Sequence, residues 1–517
     1  MNSGTATAPT HGATLAKLTA GLIAAPAALE VSDVTLDSRT AGPGALFLAC
    51  RGHGRHGAEF VGEALARGAS AVLYEPVPGA LELIEAGLRG PAGGAFRDVF
   101  VASIPQLSRY AGVIADRFFG EPSAAVTVAG ITGTNGKTTC AWLLAQALGQ
   151  CERPAAYMGT IGFGFPGVLA ATEHTTEDAV TVHRRLAALR ALGAEVVSME
   201  VSSHALDQHR VGGVRFHTAA FTNLTRDHLD YHGSMTAYAD AKARLFGWPG
   251  LAVRVINVDD AFGAQLAAQL SAAQLVITTR ASVRHEPIAG ARVVSARRVE
   301  AAISGLIIEI ESSWGTAQLN VPLIGEFNAD NVLTVLAVLL AWDIPLAQAA
   351  AALESCRAAP GRMETFGGGD ATPLAIVDYS HTPDALAKAL RAARRHCRAR
   401  LRVIFGCGGD RDPGKRPMMG RIAAELADEL VVTDDNPRNE PPERIVADIL
   451  AGIPSGTAVA VEHDRALAIR RTLERSGPAD VVLIAGKGHE AYQTYGSERR
   501  PFSDQSVARA VLEAMQP

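Results

Sequence analysis

Cysteine is scarce: six among 517 residues (Cys50, Cys140, Cys151, Cys356, Cys397 and Cys407), with no CxxC pair. Thiols set inside apolar runs behave as buried free cysteines, so a reducing cytosol fits better than export. An excess of positive charge is also missing. Lysine and arginine number 48 against 53 acidic residues, a formal net charge of −5, so no global basic field favours nucleic acid. One basic run exists, Lys388, Arg391, Arg394, Arg395, Arg398, Arg400 and Arg402, and it reads as a solvated helix face followed by a strand entry. Long apolar stretches are absent as well. The most apolar window, Val332 to Trp342, ends at Asp343; it is too short to span a bilayer and predicts a buried helix. The N-terminus shows no basic segment leading into a clean apolar stretch, which argues against a signal peptide. These absences predict a cytoplasmic chain without a membrane span. No short-period repeat is visible.

What is present is α/β alternation. A chain of 517 residues is too long for one ordinary core and predicts two to four domains. The segment before about residue 120 is mixed; it holds LDSRT (36–40) and LFLACRGHGRHG (46–57), and 85–98 reads as a loop or insertion. From Val126 onward short β-rich runs (TVAGI, EVVSMEV, TAAFTNL, AVRVINV, LVITT) alternate with helical patterns, as around a largely parallel sheet. Residues 291–322 predict a few antiparallel strands, and a helix follows from about Asn328 to Trp342. Pro360-Gly361 looks like a boundary. A second cycle follows it (LAIVDYS, RVIFGCG, LVVTDD, AVAVEH, DVVLIAG), Rossmann-like but lacking GxGxxG after its first strand. The expected division is 1–121, 122–358 and 359–517: an N-terminal α/β domain, a central P-loop-type ATPase domain and a C-terminal Rossmann-like domain.

Three constellations carry chemistry. In VTVAGITGTNGKTT, the residues Gly133, Thr134, Asn135, Gly136, Lys137, Thr138 and Thr139 join a strand to a helix. Glycines let backbone N–H groups close on phosphate oxygens. Lys137 reaches the outer phosphates, Thr138 can bind Mg²⁺, and the helix N-terminus adds its dipole. The usual early glycine of such a loop is replaced by Ile131. Next, EVVSMEVSSHALDQHR ends a strand in polar residues, with Glu200 where a Mg²⁺ ligand belongs; packing or capping is the bland alternative. Finally, NLTRDHLDYHGSMTAYADAKARLF contains His228 and His232, whose spacing could suit zinc but lacks an evident third ligand, so His228 reads as a Mg²⁺ neighbour. Lys242 is oddly placed. Tyr238, Ala239, Leu245 and Phe246 share its helical face, while Asp240 and Arg244 fall outside it and can pair. Burial would lower its pKa and leave neutral amine able to form a carbamate with CO₂; a snorkelling lysine is the alternative.

The form TGTNGKTT resembles the ATP loop of the Mur ligase and folylpolyglutamate synthetase superfamily, and RDHLDYHGSMTAYADAK resembles the Mur ligase segment with a carbamylated lysine. The resemblance covers nearly the whole chain. It implies amide-bond formation through an acyl phosphate, ATP as co-substrate, Mg²⁺ held by Thr138, Glu200, His228 and carbamylated Lys242, and catalysis by Lys137, Glu200, His228 and Lys242. It is strongest to the diaminopimelate-adding branch. On that side it implies a uridine-linked muramoyl-peptide precursor contacted by Leu36, Ser38, His53, Gly54, Arg55, Thr175, Thr176, Ser202, Gln208 and Arg210, with His174 replacing a common Asn. It implies nucleotide contacts at Asn328, Asn331 and Arg362, and at DYSHTPDAL (378–386). It implies diaminopimelate contacts at Arg411, Asp435, Asn436, Pro437, Arg438, Gly486 and Glu490. The Arg438 guanidinium suits the distal carboxylate that separates diaminopimelate from lysine. The rivals are an L-lysine-adding ligase, folylpolyglutamate synthesis and a nucleotide-gated binding protein. A monomer is expected, with no nucleic-acid partner.

Overall fold

The computed structural model describes residues 12–52, 54–89, 96, 98–280, 288, 290–302 and 305–515. Of the implied site residues, His53 lies outside this set, as does most of the 85–98 segment beyond a helix, Ala80–Leu88, that runs into its start. The chain forms two compact units, Met1–Val276 and Ile277–Pro517.

The first unit begins with a parallel sheet of four strands in sequence order: β1 (Asp33–Thr35), β2 (Ala45–Ala49), β3 (Ala71–Tyr74) and β4 (Phe100–Ser103). β2 is buried at all five positions, as expected for a strand covered on both faces. Helix α1 (Leu107–Phe118) follows and packs Leu107, Ala111, Ile114 and Phe118 against this sheet's core.

A larger sheet is then built from β5 (Thr127–Thr132), β6 (Ala155–Gly159), β7 (Gly162–Phe165), β8 (Val168–Ala170), β9 (Val196–Glu200), β10 (Phe216–Phe221) and β11 (Val253–Asn257), in the order β8-β7-β6-β9-β5-β10-β11. Its middle is parallel, and the β6-β7-β8 edge turns antiparallel. The five predicted runs are strands here, the last being β12 (Leu275–Thr279), where the chain passes into the second unit. Helix α2 (Lys137–Gln150) has nine buried residues spread around its circumference, because layers of protein cover it on several sides.

The second unit opens with an antiparallel meander of β13 (Arg292–Ala302), β14 (Gly305–Ser312) and β15 (Gly315–Val321), as the 291–322 pattern predicts. Helix α3 (Phe327–Ala341) is the buried apolar helix. The Rossmann-like part has six strands: β16 (Glu364–Gly367), β17 (Leu374–Asp378), β18 (Leu401–Phe405), β19 (Glu429–Val432), β20 (Val459–Val461) and β21 (Val481–Ala485), in the order β16-β17-β21-β18-β19-β20. All pairs but β16–β17 are parallel. A hairpin of β22 (Tyr492–Tyr495) and β23 (Glu498–Pro501) follows.

Two local expectations change. Arg244 pairs with Asp207 at 3.0 Å and not with Asp240. Arg402, read as part of a solvated run, is 5% exposed, because it lies on an interior strand that pairs on both sides and bonds Asp480 at 2.6 Å and Glu429 at 3.0 Å. All six cysteines are free thiols. Among the described residues no helix is long and apolar enough to cross a membrane.

Candidate active site

The phosphate-type loop sits at the carboxyl end of β5. Gly133 has φ +152°, and a Cβ there would stand 1.9 Å from Thr222 Oγ1, so only glycine lets the loop approach the end of β10 this closely. The loop is tied down by Thr134 N–H to Asn223 O (2.8 Å), Asn135 N–H to Asn223 Oδ1 (3.0 Å) and Thr222 Oγ1 to Asn135 O (2.6 Å). Gly136, at φ +85°, turns the chain into α2. Ile131 takes the place of the early glycine because it is a strand residue, 1% exposed and paired with Glu200 and Ala220. Lys137 Nζ folds back onto Gly133 O and Thr134 O, each at 2.9 Å.

Glu200 ends β9, the strand next to β5, and is 1% exposed. Thr138 Oγ1 donates to Glu200 Oε2 at 3.0 Å, Thr160 N–H to Oε1 at 2.9 Å and Thr160 Oγ1 to Oε2 at 3.2 Å. Tyr157 on β6 donates its hydroxyl to the same Oε1. Tyr157 itself is 0% exposed and packs edge-on against Trp142 of α2. A Cβ at Gly159 would stand 2.3 Å from Glu200 Oε1, so the carboxylate's place depends on that glycine.

Lys242 points inward, as the helical pattern predicts. Helix α4 (Met235–Ala243) carries it at 1% exposure, above the Tyr238 ring at 4.5 Å, with Nζ donating to Gly133 O at 2.7 Å. Burial first, and the Lys137 charge second, push its amine well below the ordinary lysine range. Burial also raises the Tyr238 phenol to about 12, so it stays protonated and bonds Thr134 Oγ1 at 3.1 Å. The loop, Glu200 and Lys242 thus surround one place at the carboxyl ends of β5 and β9.

His228 stands apart from this group. It is half-exposed at φ +51°, with Nε2 3.5 Å from Asp227, and no hydrogen bond or ion pair joins it to Glu200, Thr138 or Lys242 among the described residues. Its ring lies 4.8 Å from His204, which also approaches His232 at 5.4 Å. Burial, then the two neighbouring histidines, lowers His204 to about 4. Among the described residues no three His, Cys, Asp or Glu side chains form a metal cage. Mg²⁺ keeps several waters and takes few protein oxygens, so the Thr138 hydroxyl and Glu200 carboxylate fit it without such a cage.

The residues that the resemblance implies for the precursor's peptide end meet beside Glu200. Thr176 Oγ1 donates to Glu200 O (2.8 Å) and accepts from Ser202 N–H (3.1 Å). Arg210 donates to Thr176 O (3.0 Å) and, by two nitrogens, to Gln208 Oε1 (2.9 and 2.7 Å). Thr175 Oγ1 is 3.0 Å from Thr160 Oγ1. Leu36, Ser38, Gly54 and Arg55 lie on the four-stranded sheet's side instead. Ser38 donates to Glu63 at 2.7 Å, and Arg55 pairs with Glu59 while covering the Phe60 ring at 4.3 Å.

In the second unit the residues implied for diaminopimelate converge. Asp435 to Arg438 follow β19, and Gly486 to Glu490 follow β21, two strands whose carboxyl ends face one crevice. Arg438 has φ +52°, an uncommon conformation for a side chain of its size. The hairpin holds it there: Arg438 N–H donates to Thr494 O (2.9 Å), and Arg438 O accepts from Gly496 N–H (2.7 Å). Asn436 adds Oδ1 as acceptor for Thr494 N–H at 3.0 Å. Arg438 Nη1 donates to Gly409 O at 2.8 Å. Arg411 lies beside it, since a Cβ at Gly408 would touch both Arg438 Nη1 (2.8 Å) and Arg411 Cγ (3.7 Å).

Arg362 stacks over Tyr379 at 4.9 Å with its buried Nε lacking a partner among the described residues. Burial raises the nearby Asp378 carboxyl, which accepts from Met363 N–H at 2.8 Å. Asn328 Nδ2 bonds Ile324 O and Asn331 Nδ2 bonds Asn328 Oδ1, each at 2.8 Å, so both amides are already engaged around the start of α3. Sequence reasoning missed Tyr157, Thr160, Lys487 and the β22–β23 hairpin. The only local signal for Lys487 was its place in AGKGHE, at the end of an apolar strand.

Known proteins resemble this chain over nearly its whole length. Three family models match: the Mur ligase middle domain over residues 131–339, the Mur ligase glutamate ligase domain over 361–488, and the Mur ligase family catalytic domain over 30–87. The UDP-N-acetylmuramoyl-L-alanyl-D-glutamate–2,6-diaminopimelate ligase of Alkalilimnicola ehrlichii is 48% identical over 488 residues, covering 94% of this chain and 95% of that protein. The ligase of the same name from Chromobacterium violaceum is 47% identical with the same coverage. A solved structure of a UDP-N-acetylmuramoyl-L-alanyl-D-glutamate–2,6-diaminopimelate ligase superposes with a TM-score of 0.70 at 33% identity, covering 98% of this chain and 99% of that one. With sheets, loop and relatives in accord over nearly its full length, the chain belongs to the Mur ligase family.

Proposed function

We propose that this enzyme is an ATP-dependent ligase that adds meso-2,6-diaminopimelate to UDP-N-acetylmuramoyl-L-alanyl-D-glutamate, a step of peptidoglycan precursor synthesis. The observation that carries the reading is the junction of the Gly133–Thr139 loop, Glu200 and buried Lys242 in the first unit, joined to relatives of 48% and 47% identity that bear that activity in their names. The matched family models fall within the division 1–121, 122–358 and 359–517 and support three working domains.

In this reading the terminal phosphate of ATP passes to one of the two free carboxylates of the D-glutamyl residue, leaving ADP. An amine of diaminopimelate then attacks the acyl phosphate, forming the amide and releasing inorganic phosphate. Backbone N–H groups from Gly133 to Thr139 and the Lys137 ammonium hold the phosphates, and Lys137 leaves its two carbonyl partners to do so. Thr138, Glu200 and Lys242 as carbamate would hold Mg²⁺, with His228 reaching it from its half-exposed position; the ion supplies charge neutralisation on the phosphates. The depressed Lys242 pKa supports the carbamate, since only neutral amine reacts with CO₂. Thr175, Thr176, Ser202, Gln208 and Arg210 orient the peptide end of the precursor, while Leu36, Ser38, His53, Gly54 and Arg55 take its uridine end. Asn328, Asn331 and Arg362 serve the nucleotide; the unpartnered Arg362 Nε supports that role.

Arg438 and Arg411 grip the distal carboxylate of the amino acid, and Asp435, Asn436 and Glu490 its ammonium. A site built for a polar group rejects an analogue lacking it by about 10⁴–10⁵. No protein nucleophile is required. One chain carries every group invoked, so a monomer suffices, and the cytoplasm supplies ATP and the nucleotide-linked precursor. Ligation with purified precursor, ATP and either meso-diaminopimelate or L-lysine tests the reading. Amine-dependent ADP release strongly favouring diaminopimelate is expected; equal rates would overturn the amine assignment.

A further inference from the structure

The crevice proposed for the amino acid already holds a cation of the protein's own. Lys487, just past β21, has a side chain 0% exposed. Its Nζ donates to Asn436 Oδ1 at 3.1 Å, Glu490 Oε2 at 3.1 Å and Asp435 Oδ1 at 3.4 Å. An ammonium has three protons, and these three oxygens use them all. Tyr492 closes the other side, its ring 5.5 Å from Nζ and capped in turn by Arg499 at 3.4 Å.

This arrangement leaves a defined remainder. Asn436 Nδ2 donates to the same Glu490 Oε2 at 2.8 Å, so that oxygen carries two donors. Glu490 Oε1 and Asp435 Oδ2 have none among the described residues. Gly486 lacks the Cβ that would stand 3.3 Å from Asp435 Oδ2, which keeps that oxygen approachable. Two carboxylates against one ammonium leave a single negative charge, matched to one ammonium of the substrate. Without Lys487 the two carboxylates would share one site with no cation between them, and their like charges would repel.

We propose that Lys487 is a positioning residue for amine recognition: it locks Asp435, Asn436 and Glu490 into one arrangement and cancels one of their charges, so that the two free oxygens read a single substrate ammonium. This rests on the diaminopimelate reading above.

The test is initial-rate kinetics of the full-length enzyme, wild type against Lys487→Met and Lys487→Gln, varying each substrate in turn. The KM for meso-diaminopimelate should rise about 10–100-fold, as when a supporting partner of a binding group is lost. The KM values for ATP and the muramoyl precursor should stay within about twofold, and kcat should fall less than the amine KM rises. A general structural defect would move all three KM values together and lower the thermal transition. An unchanged diaminopimelate KM in a folded variant overturns the proposal. Loss of the native state in both variants also overturns it, because Lys487 would then serve the fold and not the pocket. Failure of the wild type to ligate diaminopimelate would strike the proposed function instead, whereas wild-type ligation with unaffected variants would strike Lys487 alone.

Discussion

Truncating Arg438 to alanine isolates the distal-carboxylate clamp. The backbone at 438 sits at φ +52° whichever side chain it bears, and alanine keeps the Cβ, so the strain there is common to both proteins. What is lost is the guanidinium. Its Nη1 is used by Gly409 O, while its other nitrogens have no partner among the described residues and are available for paired hydrogen bonds to a carboxylate. Removing one partner of a buried charge pair costs about 2–5 kcal/mol. Arg438 is only half-buried, so the lower part of that range applies, about 2–3 kcal/mol, or about 30–150-fold in kcat/KM. L-Lysine lacks the distal carboxylate and should lose less than about threefold, so the variant's preference for diaminopimelate collapses by nearly the whole factor. Arg438→Lys, which keeps charge without the planar fork, should fall between. Loss of the Gly409 bond costs about 1 kcal/mol of stability, leaving the protein folded at assay temperature. The assay is coupled ADP release with each amino acid at saturating ATP and precursor. Wild-type diaminopimelate kinetics in folded Arg438→Ala would refute the clamp.

Three further outcomes follow from the same geometry. Tyr157→Phe removes one donor to Glu200 without touching substrate; the Mg²⁺ concentration for half-maximal ATP turnover should rise about 10–100-fold, and an unchanged Mg²⁺ titration would contradict the support role. Lys242→Arg cannot form a carbamate; ligation should fall about 10–100-fold, and ¹³CO₂-equilibrated wild-type enzyme should show a carbamate carbonyl resonance that this variant lacks. Arg402→Met strands Asp480 without its 2.6 Å partner and should cost about 3–5 kcal/mol in urea unfolding of the C-terminal region. Burial alone would raise the Asp480 carboxyl, but Arg402 and backbone donors outweigh it and hold its pKa below the ordinary value. The stability from this pair is therefore present above the unfolded carboxyl range, near pH 4, and fades as pH falls through the lowered value. A wild-type acid-unfolding midpoint insensitive to Arg402→Met would refute this.

Much of this is legible in the sequence, where local pattern and chemistry coincide. The strand–glycine–helix order around Lys137 located the loop, and the apolar face shared by Tyr238, Leu245 and Phe246 turned Lys242 inward. The residues that escaped notice are those whose partners come from elsewhere in the chain. Tyr157 is one aromatic in an apolar strand until β6 lies beside β9 and aims it at Glu200. Lys487 resembles any loop lysine until the ends of β19 and β21 place three oxygens around it. The hairpin that sets the Arg438 backbone bonds across more than 50 residues, beyond the reach of any window along the sequence. Arg244 shows the converse: a helical i,i+4 partner was at hand in Asp240, but Asp207 offered the shorter ion pair from an adjoining helix.

The central claim is that the precursor's carboxylate is activated as an acyl phosphate before the amine arrives. It is tested most directly by labelling both oxygens of the D-glutamyl carboxylate that becomes the amide with oxygen-18 and collecting the inorganic phosphate released during ligation with meso-diaminopimelate. The account predicts one labelled oxygen in each phosphate released and one retained in the new amide. Phosphate free of label, in a reaction that still forms the amide, would contradict it.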